Sequence, residues 1–274
     1  MKNITAFFLY LILPLTTYCQ QLVSNNDSAT FTNFSWQNEH IAKGVVWRSG
    51  HFNSLFNSKQ FISILEIDLS KRNKKLGIVA LPQQLEHTST LARHAKALAA
   101  INGGFFHMKN GGAVNYIKVK GKVITYSKSK GTHANAFFAF DRKKTIITSD
   151  SVAATALPNV MLAGPLLLEN NRTVSLADNA FNKNRHPRTG VGLAGNKLYL
   201  ITVDGRNSMS QGFSLAEFTN IFRWLGCTDA MNLDGGGSTA MYIEGKGIVN
   251  HPSDNKKFDH QGERKVANII YIKK

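Results

Sequence analysis

The sequence predicts an α+β fold: a single domain of mixed, mainly antiparallel β-sheet with a few helices. Many short segments alternate apolar and polar residues, are rich in β-branched side chains and are separated by turn residues, as in Phe61–Leu69. Only two segments have the spacing of an amphipathic helix, so a regular strand–helix alternation is not expected. No Pro-, Gly- or Ser-rich linker divides the chain, which therefore suits one domain.

The N-terminal residues have the organisation of a secretory signal peptide. Lys2 precedes an apolar run from Ala6 to Leu15, which is too short to span a membrane. We expect cleavage near Cys19–Gln20, which leaves residues 20–60 as an N-terminal extension and residues 61–274 as the functional domain. Acylation of Cys19 is the alternative, although the bulky Tyr18 precedes it. Either outcome predicts export to the periplasm, the cell surface or the medium, without a stable membrane span.

Several strands are predicted in order along the chain. After Phe61–Leu69, two hairpins are expected, one turning at Lys120–Gly121 and the other over Asp141–Lys144. Leu198–Val203 is apolar on both faces, which indicates a central strand covered on both sides. Lys265–Ile272 has the same character.

Two helices are predicted between these strands. The first lies within residues 87–98 and carries an apolar stripe from Leu91 to Leu98. The second begins at Ser214, whose spacing to Glu217 is that of a capping box, and it ends before Gly226.

Charge and cysteine content limit the possible functions. The formal net charge is +16, but the basic residues are scattered among turns. No basic run is interleaved with stacking aromatic residues, so nucleic-acid binding is not expected. The positive surface either attracts anionic envelope polymers or only aids solubility. Once Cys19 is removed, Cys227 is the only cysteine, so core packing and not a disulfide must stabilise the fold.

Four polar clusters interrupt the apolar segments, and we interpret them as candidate site loops. They are Asn102–Gly104, His186–Arg188, Asp204–Arg206 and Asn232–Thr239. Taken singly, each has a structural explanation as a turn, a bulge or a surface ion pair. Loops held at one edge of a rigid sheet are nevertheless where binding sites are commonly built.

The segments AINGGFF, AGPLLLENN, RHPRTGVGL, VDGRN…SLAEF and NLDGGGSTAM…VNHPSD…GERKVANIIYI resemble the phosphodiester glycosidase family. The resemblance runs from Ala80 to Ile272 in the expected order. It implies hydrolysis of a sugar-1-phosphodiester, such as that of N-acetylglucosamine, at the glycosidic bond. The products are a free sugar and a phosphomonoester, and no cofactor is implied. The expected partner is a phosphorylated glycan.

Four acids are the catalytic candidates. Asp234 and Asp204 come first, followed by Glu217 and Glu263, and the division of roles among nucleophile, base and orienting group stays open. Asp234 is expected to face the sugar, because a carboxylate close to the phosphate would repel it. Glu217 also has the alternative of serving only as the capping-box partner of Ser214.

The candidate substrate-binding residues offer hydrogen-bond donors or allow the backbone to approach the substrate closely. Consecutive glycine N–H groups can form an anion nest, and arginine gives phosphate a two-pronged partner. Asparagine suits hydroxyl or acetamido groups, and the histidine is either an acid or structural. The candidates are Asn102, Gly103, Gly104, His186, Arg188, Arg206, Asn232, Gly235, Gly236, Gly237, Ser238, Thr239 and Arg264.

The sequence is also compatible with two other functions and with a bound metal ion. A phosphodiesterase that breaks the P–O bond would use similar residues. A non-catalytic envelope module that binds phosphoglycans would need the arginines but not the acids. Carboxylate oxygens of Asp204, Glu217 and Asp234 could hold a hard cation, but no compact ligand spacing is present, so no metal is expected.

Overall fold

A computed structural model describes residues 26–71, 75–126 and 133–273 of the 274-residue chain. The predicted signal peptide and Cys19 lie outside these residues. The helices are α1 (26–32), α2 (Thr88–His94), α3 (Ser151–Thr155), α4 (Ala180–Lys183) and α5 (Leu215–Trp224), with a 3₁₀ turn at Gly236–Ser238. The strands are β1 (Gln37–Ala42), β2 (Val45–Leu55), β3 (Ser58–Asp68), β4 (Lys75–Ala80), β5 (Glu86–His87), β6 (Ala99–Asn102), β7 (Ile117–Val119), β8 (Lys122–Thr125), β9 (Ala136–Phe140), β10 (Thr145–Thr148), β11 (Asn159–Ala163), β12 (Leu166–Glu169), β13 (Arg172–Thr173), β14 (Arg188–Ala194), β15 (Lys197–Val203), β16 (Asp229–Asn232), β17 (Met241–Ile243), β18 (Gly247–Ile248), β19 (Lys265–Val266) and β20 (Asn268–Lys273).

The α+β class with mainly antiparallel sheets is confirmed. The largest sheet has eight strands in the order β1-β2-β3-β15-β14-β16-β12-β13. Two five-stranded sheets follow, ordered β10-β9-β11-β7-β8 and β18-β17-β6-β20-β4, and β19 pairs with β5. Both predicted hairpins form, as β7–β8 and β9–β10. The apolar segment Leu198–Val203 is in β15, which lies between β3 and β14 with its residues buried in the two largest hydrophobic clusters.

The segment predicted as an N-terminal extension contributes two strands to the large sheet. β2 pairs with β3 from Val45 to Leu55, and β1 pairs with β2 outside it. Phe52 and Leu55 of β2 are buried in the same cluster as α5. Residues 37–60 are therefore continuous with the main core.

The second predicted helix is confirmed, whereas the first is shorter than expected. In α5, Ser214 Oγ accepts from Glu217 N at 3.2 Å, and Ser214 N donates to Glu217 Oε2 at 2.8 Å, which completes the capping box. α2 ends at His94 because Lys96 adopts a left-handed φ of 52°. The predicted stripe through Leu98 is therefore wrong, since Leu98 lies beyond the helix.

Five strand ends from two sheets meet at one edge of the molecule. The ends of β15 and β16 lie beside the start of β14 in the large sheet, because neighbouring strands run antiparallel. The end of β6 lies beside the start of β20 in the second sheet. The two groups are joined where Asp234 N donates to Gly103 O at 3.0 Å. All four polar clusters follow or precede these strand ends, so the fold brings them together.

No helix among the described residues combines the length and the apolar character needed to cross a membrane.

Cys227 is a free thiol in the core, and burial raises its pKa to about 12.

Candidate active site

The glycine run Gly235–Gly237 lies at the centre of the converging loops. Gly236 N donates to Pro187 O at 2.9 Å, which joins the run to the start of β14. The Arg206 guanidinium lies over Gly236, where an added Cβ would be 3.0 Å from Nη2. Gly237 packs against the Arg264 guanidinium. The run therefore contacts three of the predicted site segments.

Close packing explains why these three residues are glycines. A Cβ on Gly235 would be 2.6 Å from Pro187 O, and one on Gly237 would collide with Asp254 and Arg264. Gly236 in addition has a left-handed φ of 61°, which other residues rarely adopt.

Fewer N–H groups of the glycine run are free to bind an anion than the sequence suggests. Gly235 N donates to Asp234 Oδ1 at 3.0 Å, and the N–H groups of Gly236, Ser238 and Thr239 bond to main-chain carbonyls. Within the described residues, the Gly237 N–H has no hydrogen-bond partner. The buried hydroxyl of Thr239 likewise has no partner within the described residues. The Ser238 hydroxyl is directed at the Asp234 carboxyl group and lowers its pKa. Two donors of the loop thus stay unpaired.

Asp234 is held rigidly at the entrance to this loop. Its N–H bonds to Gly103 O at 3.0 Å, and its carbonyl accepts from Asn102 Nδ2 at 2.7 Å. Burial raises the pKa of Asp234 to about 6, whereas Ser238, Arg264 and the Gly235 N–H act in the opposite direction. The carboxyl group can therefore take up or release a proton near neutral pH.

Asn102 and Asn232, predicted to bind substrate, make internal contacts. Asn102 Oδ1 accepts from Thr189 Oγ1 at 2.7 Å and from Ala240 N at 3.1 Å, so the side chain links Asp234 to β14 and to the segment before β17. Asn232 Nδ2 donates to Gly164 O at 2.8 Å, while its buried Oδ1 has no partner among the described residues.

Gly103 and Gly104 bring the end of β6 close to the start of β20. Gly103 N donates to Asn268 O at 3.0 Å, and Gly104 N donates to Asn268 Oδ1 at 2.7 Å. A side chain on Gly103 would collide with Asn268. These glycines thus allow the approach on which the Gly103–Asp234 bond depends.

Asp204, at the end of β15, is 2 % exposed, and three groups bind its carboxylate. Asn250 Nδ2 donates to Oδ1 at 2.8 Å, and both the main-chain N and Nδ1 of His251 lie 2.8 Å from Oδ2. The His251 ring stacks on Phe258 with centroids 3.7 Å apart and lies 4.6 Å from the His260 ring. Asp204 and His251 therefore form a rigid carboxylate–imidazole pair.

Asn250, His251 and Asp254 contact the candidate residues Asp204 and Arg264 but were not among the candidates predicted from the sequence. The segment VNHPSD contains all three, and it contributed only to the family resemblance. His251 and Asp204 are 47 positions apart, and such a distance leaves no periodic signal in the sequence.

Arg206 and Arg264 are the two predicted arginines whose guanidinium groups lie against the glycine run. Arg206 is exposed and has a left-handed φ of 60°, and its side chain makes no hydrogen bond or ion pair within the described residues. Arg264 binds Asp254 through two hydrogen bonds of 2.6 and 2.7 Å, and these bonds raise its pKa. Arg206 is thus an uncompensated cation, and Arg264 is a cation fixed in position.

Arg188 lies in the interior, where it binds main-chain carbonyls. Nε donates to Phe213 O at 2.8 Å, and Nη2 donates to Phe181 O at 2.7 Å and Asn184 O at 3.0 Å. The residue is 1 % exposed, and burial lowers its pKa to about 10. In this structure, Arg188 joins the loops before β14 and α5, although it was predicted to bind phosphate.

Glu217 and Glu263 cap helices. Besides its bonds to Ser214, Glu217 receives two hydrogen bonds from Arg185 Nε, at 3.0 and 3.2 Å. Glu263 accepts from Ser89 N at 2.6 Å and Ser89 Oγ at 2.7 Å, at the start of α2. Each therefore has a structural partner for both carboxylate oxygens.

His186 feels the charge of both Arg188 and Arg206. Burial first, and then these two positive charges, lower the pKa of the His186 ring. Its main chain pairs with Phe213. In the described part of the chain, no group of three or more His, Cys, Asp or Glu side chains is arranged to hold a metal ion.

Known proteins resemble both the sequence and the fold of the chain. A model of the family described as phosphodiester glycosidase matches residues 95–273. The uncharacterized prophage-derived protein YomE of Bacillus subtilis is 28 % identical over 180 residues, which are 62 % of this chain and 28 % of that protein. Bovine N-acetylglucosamine-1-phosphodiester alpha-N-acetylglucosaminidase is 29 % identical over 203 residues, or 66 % of this chain and 38 % of that enzyme.

The solved catalytic domain of the zebrafish enzyme of the same name shares the fold, with a TM-score of 0.66 at 20 % identity. The match covers 89 % of this chain and 86 % of that domain. The chain thus spans well under half the length of the two curated relatives but most of the solved domain. Because the family match extends over more than half of its residues, the chain belongs to the phosphodiester glycosidase family.

Proposed function

We propose that this glycosidase-type hydrolase cleaves the glycosidic bond of sugar-1-phosphodiesters, giving a free sugar and a phosphomonoester. The observation that carries the proposal is the position of Asp234. Its pKa is about 6, and it directly precedes a glycine run over which the unpaired Arg206 side chain lies. Asp234, an ionisable acid that can act on the sugar, is therefore close to Arg206, a cation that can bind the phosphate.

The anion site consists of the groups that the protein leaves unpaired. Arg206, the Gly237 N–H and the Thr239 hydroxyl offer donors to the phosphate oxygens. Arg264, which is paired with Asp254, lies beside Gly237 at the border of this site. A phosphomonoester has a second pKa of about 6, so it can leave without full protonation. Stabilisation of its charge then matters more than a general acid, and one donor can contribute about 2.7–4 kcal/mol.

The two acids divide the remaining chemistry. Asp234 faces the anomeric carbon, where positive charge develops in an oxocarbenium-like transition state. Asp204 is the second acid of the pair, and Asn250 and His251 fix its orientation. Glu217, Glu263, Arg188, Asn102 and Asn232 act by positioning these groups.

We also propose that the enzyme is exported and that its substrate is a phosphorylated glycan of the envelope or of the surroundings. The N-terminal segment Met1–Cys19 supports export, with Cys19 as the alternative lipid anchor. N-acetylglucosamine is the first sugar to test, because the name of the bovine relative specifies it.

A product assay on a set of sugar-1-phosphodiesters tests the function. The wild type should release free sugar and a phosphomonoester in equal amounts from at least one compound. The Asp234→Asn variant, purified in the same way, should release both at least about 100-fold more slowly. A sugar-1-phosphate product would instead indicate P–O cleavage, and binding without any turnover would indicate a non-catalytic phosphoglycan module.

A further inference from the structure

A groove lined in part by lysines lies between two of the sheets. Its volume is about 600 Å³. The groove is bounded by β4, by the β7–β8 hairpin and by the chain that follows α2, and β4 and β8 each stand last in their sheets among the described strands. Its lining includes Val79, Ile124, Tyr271, Lys96, Lys120 and Lys273. We call it the lysine groove.

The lysines of the groove are uncompensated. Within the described residues, Lys96, Lys120 and Lys273 form no ion pair, and no acidic residue lines the groove. Lys75 lies directly opposite Lys273 in the β4–β20 register, so two like charges share one face of the sheet. Such a pair destabilises a sheet unless an anion neutralises it. His94 also lies in the lining.

Two of these lysines occupy backbone positions that favour other residues. Lys96 follows α2 with a φ of 52°, where glycine is the usual residue. Lys120 has a φ of 49° in the hairpin turn before Gly121, where asparagine is preferred. Left-handed lysines carry a conformational cost, and such outliers cluster at functional sites.

The floor of the groove suits a sugar ring. A Cβ on Gly77 would collide with the Tyr271 ring, so the glycine lets this aromatic ring lie across β4. Tyr271 is partly exposed and stands two residues before Lys273 on the same face of β20. An aromatic surface with cations at the rim combines apolar contact for sugars with charge for phosphate.

We propose that the lysine groove binds the anionic glycan chain of the substrate several units away from the scissile bond. β4 leads from the groove to the catalytic edge, because Ala80 lines the groove and pairs with Asn268, which contacts Gly103. Lys273 lies five residues from Asn268 along β20, or about 17 Å. The proposal rests on the proposed function for the identity of the chain, but binding is measurable without turnover.

The test uses oligo(glycerol phosphate) as the probe, because it has phosphodiesters but no glycosidic bond to cleave. Calorimetry compares the wild type with a Lys96→Ala, Lys120→Ala, Lys273→Ala triple variant. The matched control, Arg142→Ala, Lys143→Ala, Lys144→Ala, loses the same charge at the β9–β10 hairpin, on the opposite edge of the sheet that contains β8. Neutral dextran and polyglutamate of matched charge serve as comparison ligands.

We expect the groove variant to raise the Kd for the probe about tenfold or more at low salt, and the control variant to raise it less than about twofold. Both variants should hydrolyse a small sugar-1-phosphodiester like the wild type. Equal weakening in the two variants would overturn the proposal, as would no binding by the wild type. Polyglutamate binding with the same lysine dependence would assign the groove to an acidic peptide instead. Failure of the proposed function would appear separately, as absence of hydrolysis in the wild type.

Discussion

Oδ2 of Asp204 lies 2.8 Å from both the main-chain nitrogen and Nδ1 of His251, so that one residue holds the acid by two groups. The His251 ring is in turn stacked on Phe258. Because a carboxylate only accepts hydrogen bonds, Nδ1 is the donor in this contact. The pair is therefore fixed in orientation.

Asp204→Asn should lower both stability and activity. Asn250 Nδ2 and the two His251 donors all face the carboxylate oxygens. In the variant, the amide NH₂ group would replace one of these oxygens and would face another hydrogen-bond donor. We expect a loss of about 1–3 kcal/mol in the free energy of unfolding, measured by urea denaturation. His251→Phe keeps the stacking and should cost less. Wild-type stability and kcat in Asp204→Asn would contradict this account.

Asp234→Asn should lower kcat by about 10²–10⁴-fold without loss of fold. The folded-state pKa of about 6 exceeds the ordinary value of 3.8, so the contribution of the acid to stability is lost as the pH rises through 6. The difference in the free energy of unfolding between the variant and the wild type should therefore be up to about 3 kcal/mol more in favour of the variant at pH 8 than at pH 4. Access of water to the carboxyl group reduces this value. Urea denaturation at both pH values measures this gain, and a difference independent of pH would refute it.

Arg206→Ala and Arg188→Ala should have opposite effects. The Arg206 side chain has no partner within the described residues, so its removal should change the free energy of unfolding by less than about 0.5 kcal/mol. Its loss from the anion site should lower kcat/KM by about 100-fold or more. The Arg206→Lys variant should keep only part of the wild-type kcat/KM. Arg188→Ala removes three hydrogen bonds to main-chain carbonyls, of which only Phe213 O keeps another donor among the described residues, His186 N, and it empties the space of a side chain that is 1 % exposed. It should cost about 3 kcal/mol in the free energy of unfolding. Full activity in Arg206→Ala would remove it from the site.

Gly236→Ala should lower kcat/KM by more than the cost of its left-handed backbone conformation explains. Gly245 is a matched control, since it has a φ of 80° and open space around it. Both substitutions carry the left-handed cost of about 1 kcal/mol, but only the methyl group added at position 236 would push against Arg206. We expect about a tenfold or greater loss of kcat/KM for Gly236→Ala and none for Gly245→Ala. Equal activity in the two variants would show that Arg206 can move without consequence.

The strands and the capped helix were predictable because their signals are local. Alternation placed β3 and both hairpins, and the Ser214–Glu217 spacing placed α5. The extent of α2 was not predictable, since its end depends on a lysine in a conformation typical of glycine. The convergence of the four loops followed from their positions at strand ends.

The partners of the individual side chains could not be read from the sequence. Arg188 binds main-chain carbonyls, which every residue has, so nothing in the sequence distinguishes it from a phosphate ligand. Asp204 and His251 meet only because β15 and the segment after β18 end at the same edge. The glycine run was predicted to form an anion nest, but its glycines serve close packing more than they form one.

Hydrolysis in oxygen-18 water tests the central claim most directly. The substrate is a sugar-1-phosphodiester that the wild type turns over, and the products are analysed by mass spectrometry. Attack at the anomeric carbon next to Asp234 should place the label in the free sugar and leave the phosphomonoester unlabelled. Label in the phosphate would mean that water attacks phosphorus, and it would contradict the assignment of Asp234 to the sugar and of the arginines to the leaving group.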